Sequence, residues 1–177
     1  MKKIFLYFLI ILFPYFIVFL ICSLLNQSLM KYVFHNNVYF GLLYLGAFWF
    51  IALISAIIIC INNFVKKADA VETARINMII KLVQIPAYLF VFVTGLLCLL
   101  TIFTFAITFV LAVLDCASII LSGLIGVSAV RRSYADGVLS KFEMVIYSIL
   151  QFVFCFDVIS SIIVFRKTKV KNITKSF

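Results

Sequence analysis

Two carboxylates stand where water should be scarce. Asp115 lies in the apolar stretch Thr108–Val130, which Arg131 and Arg132 close, and Asp157 lies in a second stretch, Met144–Phe165. Each is followed three residues on by a serine, Ser118 and Ser160. Two carboxyl groups facing each other in hydrocarbon cannot both carry charge cheaply. Such a pair would hold one proton, or a cation, between them and titrate as a unit. That is the chemistry of proton- or cation-coupled transport. The alternative is structural: each Asp acts as a polar clasp between helices, in an assembly or accessory subunit of a membrane complex.

Helical spacing decides which neighbours the acids should have. Thr108, Asp115, Ser118, Ser122 and Gly126 fall within a sector of roughly 80° on one helix, so this face should meet other helices rather than lipid. Thr101, with Ala87, Thr94 and Cys98, lies on one face of the preceding apolar run. Gln151, Asp157, Ser160 and Ser161 share the last one. If the last two runs cross antiparallel, both acids sit ~10–12 Å below the outer end. The expected ion- or proton-binding centre is therefore Asp115, Asp157, Ser118, Ser160 and Thr101. No basic residue is expected at that depth. Ala52, Ala56, Ser122, Gly126 and Gln151 are the expected helix-packing positions, small or amide side chains that permit close approach.

The composition excludes a water-soluble globule. Of 177 residues 67% are hydrophobic and only 12% charged, too little polar surface to cover a soluble domain. The apolar residues form long runs, the signature of bilayer helices. The net charge of +9 comes from Lys and Arg that mostly flank those runs. It reads as topology and contact with anionic headgroups, not as nucleic-acid binding. Cys22, Cys60, Cys98, Cys116 and Cys155 all lie in apolar runs, with no CxxC, and the one histidine, His35, is in a loop. No metal site or cofactor is expected from that pattern. Enzyme activity is not expected either: the chain contains no HExxH, GxSxG or phosphate-binding glycine loop.

The sequence reads as all-α, one integral membrane domain over residues 1–177 with five spans. These are about 4–25, 38–61, 85–104, 108–130 and 144–165. An interfacial amphipathic helix over about 69–84 should precede the third, displaying Thr73, Asn77, Lys81 and Gln84 on one side. Asp69 with Glu72, and Ser140 with Glu143, are helix-start signals, and Asp136-Gly137 is a turn signal. Residues 166–177 form a basic tail expected to be disordered.

The distribution of positive charge places the N-terminus in the cytoplasm and the protein in the cell membrane. Five spans put nine basic residues inside and six outside. Folding the last run back on itself would give fourteen against one. That run has neither Gly nor Pro to turn it, so a fifth crossing is the expectation. The expected partners are the lipid bilayer and other membrane subunits or a second copy.

Overall fold

A computed structural model describes residues 2–65, 68–100 and 104–175. All regular structure among them is helical. In chain order the helices are α1 (Lys2–Leu25), α2 (Gln27–Phe34), α3 (Val38–Val65), α4 (Ala70–Leu99), α5 (Phe105–Ala135), α6 (Lys141–Leu150) and α7 (Phe156–Lys175). Four are long and apolar enough to cross a membrane: α1 from Ile4, α3, α4 and α5.

Local chemistry explains the boundaries. Asn26 accepts bonds from the Ser28 and Leu29 amides to start α2, and His35 ends it in the left-handed conformation, φ 51°. Asp69 accepts the Glu72 amide to start α4, leaving an acid at the positive end of the helix. The turn after α5 needs Gly137, whose φ is +72°. Ser140 and Glu143 then form a complete capping box at the start of α6.

The expected interfacial helix and third span are one helix. α4 runs unbroken through Pro86 for 30 residues, ~45 Å at 1.5 Å per residue. Proline forfeits one backbone bond, which neighbouring helices in a bundle make tolerable. The side of α4 that carries Thr73, Asn77, Lys81 and Gln84 is not a headgroup-facing surface, because all four are buried.

The expected fifth span is not one helix. α6 stops at Leu150, residues 151–155 form turns, and Cys155 takes φ +65°. α7 then returns beside α6: the Lys167 ammonium pairs with the Glu143 carboxylate, and Lys171 donates to the Gly137 carbonyl. The Ser133 and Thr168 hydroxyls share a 3.0 Å hydrogen bond at the same level. The Lys167 hydrogen bond, aided by the Ser140 amide, holds the Glu143 carboxyl down at about 2. The basic tail continues as helix to Lys175 rather than lying disordered.

The main apolar core joins α1 to α3, through Ile10, Phe13, Ile17 and Leu20 against Leu45, Ala52, Ala56 and Ile59, and reaches Leu121 and Ile125 of α5. Ala52 and Ala56 are fully buried. On the far side, α4 packs against α5 and α7. The polar residues of the bundle gather between those three helices.

Candidate functional site: a buried ion pair at a helix break

The buried side of α4 presents Thr73, Asn77, Lys81, Gln84 and Tyr88 at intervals of three or four residues, one stripe along the helix. At its centre the Lys81 Nζ lies 2.7 Å from the Asp157 Oδ2, with side chains only 0% and 3% exposed. The same nitrogen donates to the Ser122 Oγ at 2.9 Å and to the Gln151 carbonyl at 3.3 Å. An ammonium has three protons, and each has an acceptor.

Every acceptor is available for a local reason. The Gln151 carbonyl is free because α6 ends there, where helix carbonyls lose their own partners. Asp157 sits in the first turn of α7, and its Oδ1 accepts the Val158 amide at 2.8 Å. The positive end of the helix therefore faces the carboxylate. The Gln151 side chain bridges outward, with Nε2 2.9 Å from the Ser160 Oγ and Oε1 3.4 Å from the Asn77 Nδ2. It fits only because position 126 is glycine: a Cβ there would stand 2.0 Å from Oε1. Further along α4, Gln84 donates to the Ile10 carbonyl of α1 at 3.0 Å, and the Tyr88 hydroxyl donates to Gln84 at 3.1 Å. The network ties α1, α4, α5 and the α6–α7 hairpin together.

Asp115 is elsewhere. It lies seven residues before Ser122 on α5, ~10 Å along the axis, and the partner of Asp157 is Lys81. The Asp115 Oδ1 is buried without a hydrogen-bond partner. It lines a cavity of about 210 Å³ between α4 and α5 with Val91, Gly95, Thr108 and Leu111. Of its expected companions, Ser118 donates to the Leu114 carbonyl of its own helix. Ser122 and Ser160 belong to the Lys81–Asp157 network. Thr101 lies outside the described residues. Gly126 and Gln151 are in contact across the hairpin.

Lys81 is the residue that sequence reasoning missed, with Asn77, Gln84 and Tyr88 beside it. The signal was there: a polar stripe at helical spacing that runs past Pro86 into the apolar stretch without changing face. Among the described residues no group of three His, Cys, Asp or Glu side chains could hold a metal ion. Set against known proteins, the chain matches no family model, no curated protein and no solved structure.

Chemically, the arrangement is a clasp. A charge bare in hydrocarbon costs several kcal/mol, and here Lys81 is met by Asp157, the Ser122 hydroxyl and the Gln151 carbonyl at the end of α6, and Asp157 by Lys81 and the Val158 amide at the start of α7.

Proposed function

We propose that this protein is a non-catalytic, multi-pass subunit of a membrane complex, in which Lys81 and Asp157 lock a re-entrant helical hairpin to the bundle. The saturation of the Lys81 ammonium carries this reading. All three of its protons have acceptors inside the protein, leaving none for a passing ion or substrate. In this arrangement α6 and α7 enter and leave the membrane on one side, with the α3–α4 and α5–α6 connections. Among the described residues, eleven of the thirteen Lys and Arg then lie on that side, all but Lys31 and the paired Lys81. The positive-inside rule makes it the cytoplasmic side, with the N-terminus, in the cell membrane.

Coupled transport is the second reading, and one observation favours it. Broken helices with a half-helix N-terminus directed into the bundle occur at the binding sites of transporters, and the start of α7 is such an end. For transport, the pair would have to open and exchange its proton or cation.

Two measurements separate the readings. In liposomes loaded with a pH-sensitive dye, the subunit reading expects no protein-dependent proton flux and no effect of Asp157→Asn. A flux abolished by that substitution would establish transport instead. Extracted from its native membrane in mild detergent, the protein should elute as part of a larger assembly; a stable lone monomer overturns the subunit role.

A further inference from the structure

The half of α5 that contains Asp115 forms one wall of the groove against α4. Asp115 is ten residues from Phe105, the first residue of α5, ~15 Å along the axis and so near the middle of a ~30 Å hydrocarbon layer. Apart from Thr108, the described side chains that line the groove with it are apolar. The other polar side chain of the groove, Thr108, donates its hydroxyl to the Gly95 carbonyl at 3.2 Å, so it offers the carboxyl nothing. Gly95 leaves room, since the nearest side-chain atom to a Cβ there is 4.0 Å away. The groove opens outward beside Phe92 and Leu96, which are exposed.

A lipid chain could fill the volume but would leave the half-buried Asp115 carboxyl group without a counter-charge. A second copy of this chain has no cation to offer at that depth. Its buried ammonium, Lys81, is committed to Asp157, and Lys31 lies in α2, the connection between α1 and α3. We propose that the groove receives a single membrane-spanning helix of another protein that carries a Lys or Arg midway along its apolar stretch, with Asp115 as the counter-charge. This rests on the subunit reading and specifies the chemistry of the partner. The small walls at Gly95 and Ala112 let the incoming backbone approach, and the basic side chain pairs with the carboxyl group of Asp115, which is only half-buried.

The test uses the full-length protein in liposomes and synthetic Leu/Ala helices of about 20 residues, each with one central Lys, Leu or Glu and a fluorescent label. Energy transfer should show the Lys helix binding about 5- to 30-fold more tightly than the Leu helix, and the Glu helix binding no better than the Leu helix. Asp115→Asn should bring Lys and Leu helices to equal affinity. Ala112→Phe, which fills the groove and leaves the carboxyl group in the chain, should abolish the preference as well and serves if Asp115→Asn does not fold. Equal binding of Lys and Leu helices to the unmodified protein overturns the proposal. So does a Lys preference that survives either substitution. Equal binding alongside an intact native complex refutes the Asp115 site alone, whereas a lone monomer from native membranes refutes the subunit reading itself.

Discussion

Breaking the buried ion pair from its two sides should not cost the same. At 2.7 Å and an effective dielectric of about 20, the Coulomb attraction is roughly 6 kcal/mol. Desolvation offsets part of it, and removing one member of such a pair typically costs about 3–5 kcal/mol. Asp157→Ala leaves an ammonium among apolar residues with only the Ser122 hydroxyl and the Gln151 carbonyl, so it should fall at the upper end of that range. Lys81→Met leaves the carboxylate on the Val158 amide at the positive end of α7, which returns about 1 kcal/mol. The double substitution Lys81→Met/Asp157→Leu removes both charges. It leaves the Gln151 carbonyl and the Ser122 oxygen without the lysine donor and the Val158 amide without its side-chain acceptor, a loss of neutral hydrogen bonds of about 2–3 kcal/mol with no orphaned charge. Unfolding in mixed micelles can be followed through Trp49, whose ring N–H donates to the Ala117 carbonyl between α3 and α5. The expected order of stability is wild type, double variant, Lys81→Met, Asp157→Ala. A double variant as unstable as Asp157→Ala would refute the clasp, because the loss would then not come from an orphaned charge.

Four shorter predictions follow from the hairpin. Cysteines placed at Glu143 and Lys167 in a background free of the native cysteines should be joined by a short bifunctional thiol reagent, since the native side chains touch; a straight helix over 143–167 would hold them ~36 Å apart, and failure to cross-link would restore the fifth span. Gly126→Leu should displace Gln151 and destabilise by about 1–3 kcal/mol, read as a lower midpoint in the same micelle titration. Cys155→Gly should stabilise by about 1 kcal/mol, because glycine takes the observed φ of +65° without strain. The Glu143–Lys167 contact should depend on pH with a definite sign. The folded carboxyl titrates at about 2 against an ordinary 4.5, so its contribution is complete above 4.5 and is lost as pH falls toward 2. The protection of the first amides of α6 against hydrogen exchange, corrected for the intrinsic rate at each pH, should fall over that window and should not change there in Glu143→Gln.

The all-helical architecture and most helix starts were legible in the sequence, because they depend on local features: long apolar runs, the Asp69 and Ser140 caps, the turn at Gly137. The break at residues 151–155 was not. A chain reversal is read from Gly or Pro, and here Cys155 adopts the left-handed conformation instead, at a cost that the surrounding contacts hold in place. The candidate site was half legible. Asp157 is conspicuous as an acid in an apolar run, but its partner is 76 positions away and reads locally as the polar side of a surface helix. With Lys81 read as part of an interfacial helix, Asp115 is the partner that the sequence leaves for Asp157. Burial of the stripe on α4 is a tertiary fact, decided by where α7 docks, and a single sequence does not state it.

The separation of Lys81 and Asp157 along the chain also bears on how the protein is made. At about 5–20 residues per second, the ribosome delivers Asp157 some 4–15 s after Lys81. During that interval α4 carries an unmatched positive charge that resists entry into the lipid, and its settling in place must wait for the hairpin or be escorted. A chain cut short anywhere in between exposes a cation in the wrong place, a mark by which membrane proteases could recognise an unfinished product.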